Sequence, residues 1–190
     1  MKNLIFLLLI LSSIAYSNLG YAQKTIEGVT IPETFTAGKE KLILNGAGVR
    51  EKYFIDLYIG ALYLKNKSSD ANKILESNEP IVIKMHIVSK MITSKKMEET
   101  VRDGFKKSTG GNTAPYKEKI DKIVEAFKGE IKVGDVFDIV YIPEEATTYL
   151  YKNNKLGSQV KGEDFRKIMF GIWLGKDPAD NDLKDDLLGK

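Results

Sequence analysis

Apolar positions along the chain fall into two rhythms, one of period two and one close to four, and they alternate in blocks. From Lys52 to Leu64 the residues run Lys-Tyr-Phe-Ile-Asp-Leu-Tyr-Ile-Gly-Ala-Leu-Tyr-Leu, a composition of aromatic and β-branched types that predicts the longest strand of the protein. Its nearly continuous apolarity implies that both faces are covered, one by core and one by helices or a pocket. After Pro80, residues Ile81, Ile83, Met85 and Ile87 share one face of a predicted second strand. The period then changes. Met97, Val101 and Phe105 predict a helix over 94–107, and Ile120, Ile123, Val124 and Phe127 a second over 116–127. Strands return at 136–142 and 147–152, joined at Pro143-Glu-Glu and reversed at Asn153-Asn154, as a meander. Residues 163–174 then read as a helix burying Phe165, Ile168, Met169, Ile172 and Trp173, followed by a short one over 182–188.

The earlier part is weaker. Val29 and Ile31 suggest a short strand, Lys41 to Leu44 a brief apolar run closed by an Asn45-Gly46 turn, and Asp70 a cap for a helix through Leu75. Strands, helices, strands and helices, without alternating βαβ units, predict an α+β fold on an antiparallel sheet.

Ahead of all this stand Lys2 and the apolar run Leu4 to Leu11, giving way to Ser17, Asn18 and Gly20-Tyr21-Ala22. The run is shorter than the ~20 residues that span a bilayer, and small residues at Gly20 and Ala22 suit signal peptidase. Residues 1–22 are therefore expected to be a signal peptide, removed on export to the periplasm, with no stable membrane anchor afterwards. Residues 23–190 are expected to form one domain. The chain has no cysteine, so disulfides and thiol chemistry are excluded and stability has to come from packing. A net charge of +3 spread over scattered Lys and Glu gives no basic stripe with interleaved aromatics, which argues against nucleic acid as a partner.

Few residues suit catalysis. His86 is the single histidine and lies on a strand face opposite Ile83 and Met85, so a catalytic triad or a histidine metal site finds no further ligands. The acidic tail Asp177, Asp180, Asp182, Asp185, Asp186 lacks the glycine and glutamate of an EF-hand. Gly46-Ala-Gly48 is followed by a strand, whereas phosphate cradling needs a helix N-terminus. No metal and no cofactor is expected. Arg50 is different, because it follows Gly-Ala-Gly and immediately precedes the most apolar strand. A guanidinium keeps its charge on burial and presents a fork of donors suited to a carboxylate or enolate. The alternatives are an arginine snorkelling at a strand end or paired with Glu51 or Asp56.

Leu44-Asn-Gly-Ala-Gly-Val-Arg50, then Lys52-Tyr-Phe-Ile and Tyr58-Ile-Gly-Ala-Leu-Tyr-Leu64, resembles the opening of the chalcone isomerase superfamily, in particular its bacterial exported branch. The ending, Gly162-Glu-Asp-Phe165 through Ile172-Trp-Leu-Gly175 and Asp182 through Gly189, is similar to the same branch. The resemblance implies an open-faced β-sandwich, helices packed on a long antiparallel sheet with a cleft between. It also implies that Arg50 occupies the position that stabilises an enolate in the plant enzymes and holds a carboxylate in fatty-acid-binding relatives. The enzymes' strand threonine falls near Tyr58, their helix tyrosine near Met97, their helix asparagine near Gly104 and their late threonine near Ile172. With those polar groups replaced, the expectation is a binder of a fatty acid or similar amphiphilic anion rather than an enzyme, with Arg50, Tyr58, Met97, Val101 and Ile172 as ligand-binding residues. An intramolecular lyase acting on an α,β-unsaturated substrate, with Arg50 catalytic, is the alternative; a ligand-free scaffold is a third.

Overall fold

A computed structural model describes residues 24–190; the expected signal peptide lies outside them. Strands β1 (Lys24–Ile26) and β2 (Val29–Ile31) form a small hairpin of their own. Seven further strands make one antiparallel sheet in sequence order: β3 (Thr34–Ala37), β4 (Glu40–Lys52), β5 (Ile55–Leu64), β6 (Ile81–Ile87), β7 (Val136–Ile142), β8 (Thr147–Lys152) and β9 (Lys155–Lys161). Helix α1 (Ala71–Glu76) connects β5 to β6, while α2 (Ser94–Ser108) and α3 (Lys117–Glu125) connect β6 to β7. Helices α4 (Glu163–Leu174) and α5 (Asn181–Leu187) follow β9. The fold is α+β, a long antiparallel sheet covered by helices, as expected.

Alternation sorts the sheet into two faces. Ile81, Ile83, Met85 and Ile87 of β6 face the helices and join Phe105, Ile123, Phe127, Phe165 and Trp173 in the larger core. On the opposite face Ile59, Ala61, Tyr63, Val82 and Val140 pack beneath the β1–β2 hairpin and β3. This is the double coverage that the apolar run of β5 implies, achieved on its second side by strands. Helix α2 lies close to α4: the Ser108 hydroxyl donates to the Ile168 carbonyl at 2.7 Å, and a Cβ on Gly104 would meet Ile172 at 2.8 Å.

Two local readings are corrected. Asn45-Gly46 is not a turn, and Lys52 to Leu64 is not one strand. The chain runs on through Asn45 and the Gly-Ala-Gly block as β4, with register shifts between Leu44 and Gly46 and between Arg50 and Glu51, and turns instead at Tyr53-Phe54. Both turn residues are left-handed, at φ 53° and 61°, a conformation that suits a two-residue hairpin and is uncommon for aromatic side chains. The glycines of β4 serve close approach. A Cβ on Gly46 would stand 2.1 Å from the Asp186 carbonyl oxygen, and one on Gly48 would overlap the Asp186 side chain. Asn45 completes the contact, donating to the carbonyls of Leu187 at 2.7 Å and Ser68 at 2.9 Å. Helix α5 is thereby clamped across β4, and the segment entering it lies beside Arg50.

Candidate functional site

Where β4 and β5 diverge from α2, at the end of the sheet nearest the Tyr53-Phe54 turn, the helices and sheet leave a cleft of about 410 Å³. That volume lies within the ~300–1,000 Å³ of ordinary small-molecule sites. Its inner wall is apolar: Leu57 and Tyr58 from β5, Ile92 from the loop after β6, and Met97 from the first turns of α2. The rim carries Lys52 and Lys96 against Glu99 and Asp103, two charges of each sign. Arg50 is the unbalanced one.

Arg50 is held by register and by the chain ahead of α5. It stands directly across from Tyr58, its guanidinium carbon 5.8 Å from the Tyr58 ring centre. Its Nη2 donates a long hydrogen bond, 3.5 Å, to the Ala179 carbonyl. Nε is buried and has no hydrogen-bond partner among the described residues. Neither Glu51 nor Asp56 forms an ion pair with it. Buried donors of charged groups are costly to leave unmade, so this guanidinium is under-satisfied by the protein's own acceptors.

Tyr58 completes the polar end. Its hydroxyl oxygen accepts from Trp173 Nε1 at 2.9 Å, leaving its own proton for another acceptor. Burial pushes the Tyr58 pKa above that of an ordinary phenol, although the neighbouring Arg50 charge and the Trp173 hydrogen bond pull it down. The phenol is therefore protonated at neutral pH: it can donate and is a poor base. Arg50 and Tyr58 together present two donors at the inner end of an apolar groove, an arrangement suited to an oxyanion on a greasy body.

Of the five residues expected to bind a ligand, Arg50, Tyr58 and Met97 line this cleft. Val101 and Ile172 lie one layer deeper, among the buried side chains of the core. Ile172 fills the space over Gly104, which explains why neither reaches the cavity. The resemblance placed Gly104 and Ile172 at two of the polar positions of the enzymes, and the structure brings these two together, packed and apolar. The helix pattern buries Trp173 but does not name Tyr58 as the acceptor of its indole N–H. The signal is that a buried indole N–H needs an acceptor, and a buried tyrosine is the natural one. The backbone carbonyl of Ala179 carries no sequence signal at all.

His86 is half-buried, its Nε2 has no hydrogen-bond partner among the described residues, and burial, then the Lys84 charge, hold its pKa below the usual imidazole value. Among the described residues no group of three or more histidine or acidic side chains could hold a metal ion.

Comparison with known proteins agrees with the fold. The crystal structure of a fatty-acid-binding protein of Arabidopsis thaliana superposes with a TM-score of 0.63 at 18% identity, covering 85% of this chain and 92% of that one. At that identity the likeness establishes the fold. No curated protein matches the sequence. The family description "chalcone isomerase-like" matches residues 23–189, nearly the whole of the described sheet, helices and cleft, and the chain accordingly belongs to the chalcone isomerase-like family.

Proposed function

We propose that this protein is a non-catalytic binder of a fatty acid or similar amphiphilic anion, acting after export to the periplasm. One observation carries the reading: Arg50, under-satisfied by the protein's own acceptors, sits beside Tyr58 at the inner end of a cleft whose inner wall is apolar and whose charged groups lie on the rim. Burial of an alkyl chain against Leu57, Ile92 and Met97 would supply affinity at about 25 cal/mol per Å². The Arg50 and Tyr58 donors would fix the head group. The fatty-acid-binding protein of the same fold supports the ligand class. Export rests on the leader pattern of residues 1–22 and would be checked by sequencing the N-terminus of the protein recovered from its host.

Laurate titrated into delipidated protein tests the binding. Charge-assisted hydrogen bonds contribute about 1.5–3 kcal/mol, so Arg50→Ala should weaken laurate by roughly tenfold to a hundredfold while dodecanol, which lacks the charge, changes little. Equal laurate affinity in wild type and Arg50→Ala would remove the reading.

A lyase of chalcone isomerase type is the second reading, favoured by the free Tyr58 proton beside Arg50. That pair could stabilise an enolate, and Tyr58 could reprotonate one. The absence of any Arg50-dependent loss of chalcone absorbance would count against it.

A further inference from the structure

Seven large hydrophobic side chains are exposed among the described residues, and six of them stand at one end of the sheet: Tyr53, Phe54, Ile55, Met91, Val133 and Leu156. They come from four separate connections, and the register shows that these share an end: Lys52 pairs with Ile55, His86 with Val136, and Lys152 with Lys155. Only Ile43 lies elsewhere. Scattered exposed apolar residues are ordinary, whereas a gathered set marks a contact surface. The set peaks at the β4–β5 turn, where Tyr53 is 83% and Phe54 97% exposed. A two-residue hairpin with left-handed residues is best served by Asn-Gly; here the same positions hold two aromatics at φ 53° and 61°. Neither propensity nor burial explains them.

Charge decides what such a rim fits. Its segments 51–56, 88–96, 128–135 and 152–155 contain eight lysines and four carboxylates. Ion pairs account for Lys128, Lys132 and Lys152. Lys52, Lys90, Lys95, Lys96 and Lys155 form no ion pair among the described residues, against Glu51 and Asp56 of these segments and Glu99 and Asp103 beside Lys52 and Lys96 on the cleft rim. Protruding aromatics ringed by free lysines complement a bilayer interface with anionic head groups, aromatic rings seating at head-group level and cations meeting the surface potential. Tyr53, Ile55 and Met91 also line the mouth of the cleft, so a surface touching this rim faces the opening. No helix among the described residues is long and apolar enough to cross a membrane, and this contact would be peripheral.

We infer that the β4–β5 turn and its lysine-bearing rim dock the protein on an anionic lipid surface, with the cleft mouth apposed to the bilayer from which an amphiphile is taken or to which it is returned. The transfer role rests on the binding function proposed above; the docking does not.

Vesicle co-sedimentation tests it, using phosphatidylcholine alone and an equal mixture with phosphatidylglycerol. Wild type should bind the mixed vesicles at least about tenfold more tightly than the neutral ones, and added salt should erase the difference. Phe54→Gly removes the most protruding ring and relaxes the turn, so it should fold, keep laurate binding in solution, and lose about tenfold in vesicle affinity. Lys90→Glu with Lys95→Glu, neither in the cleft, should abolish the preference for phosphatidylglycerol. Wild type that ignores both vesicles, or Phe54→Gly that binds them as tightly as wild type, overturns the docking. So does a concentration-dependent dimer that Phe54→Gly dissociates, since a second copy would then cover the rim. Failure of laurate to bind, with vesicle binding intact and dependent on Phe54, overturns the binding function and leaves the docking standing.

Discussion

Replacing Gly46 by alanine adds a single methyl group to the clamp that positions the cleft's polar end. Gly46 has an ordinary strand conformation with no positive φ, so alanine suffers no backbone strain there. The cost is steric: the new Cβ falls 2.1 Å from the Asp186 carbonyl oxygen and 2.7 Å from that of Leu187. Both are backbone atoms at the end of α5, which no rotamer change can move. Helix α5 must lift, and overpacking of this kind costs about 1–3 kcal/mol. Lifting it also breaks the buried hydrogen bond from Asn45 to Leu187, adding about 1–3 kcal/mol for the group left unpaired. The expected loss is about 2–6 kcal/mol. At about 2–4 °C per kcal/mol for a domain of this size, the melting midpoint should fall by roughly 4–24 °C. Gly60 supplies the internal control, because a Cβ there meets side-chain atoms only, Leu183 Cδ1 at 3.2 Å, Leu183 Cδ2 at 3.4 Å and Tyr58 Cε2 at 3.7 Å. Gly60→Ala should cost less than about 1.5 kcal/mol. Both variants would be compared with wild type by thermal and urea unfolding. Equal midpoints for Gly46→Ala and Gly60→Ala would refute the close-approach account of the Gly-Ala-Gly block.

The opposite face of the sheet holds Lys84 and Asp138 as a buried pair, Nζ to Oδ1 at 2.5 Å. Lys84→Met alone should destabilise by about 3–5 kcal/mol in urea unfolding because it strands the Asp138 charge, while Lys84→Met with Asp138→Leu should be close to neutral. Acid stability should depend on Asp135. Burial alone would raise its pKa, but hydrogen bonds from Lys152, Asn153 and the Lys132 backbone N–H outweigh that and hold it down to about 2. A depressed folded pKa contributes stability that is complete above the unfolded value, ~3.9, and is lost as pH falls toward 2. Asp135→Asn should therefore lower the melting midpoint at pH 7 and leave it nearly unchanged near pH 2, the gap closing between those two pKa values.

Periodicity made most elements legible. The strands 136–142 and 147–152 and the helix 163–174 stand at the residues where alternation and spacing place them, because each has one face in the core. The two misread points share a cause: a turn propensity describes only the residues themselves. Asn45-Gly46 carries the strongest local turn signal and is strand, since its polar side chain and missing Cβ are both satisfied by α5, more than 100 residues later in the chain. Tyr53-Phe54 carries a strand composition and is turn, since β5 must pair with β4 in the register that sets Gly46 and Gly48 beneath the helix.

The cleft was legible to about the same depth. Arg50 stands out in the sequence because a fixed charge precedes an apolar strand, and Tyr58 and Met97 follow from their place on the elements that face it. Val101 and Ile172 share helix faces with cleft residues, yet a helix face meets core along part of its length and cavity along the rest, and periodicity cannot say where one gives way to the other. The boundary is set by Gly104, which lets Ile172 and α4 close against α2. A side chain at that position would hold the helices apart and extend the hollow toward Val101. The glycine thus confines the cleft to the part bounded by Arg50 and Tyr58 at one end and the exposed aromatic turn at the other.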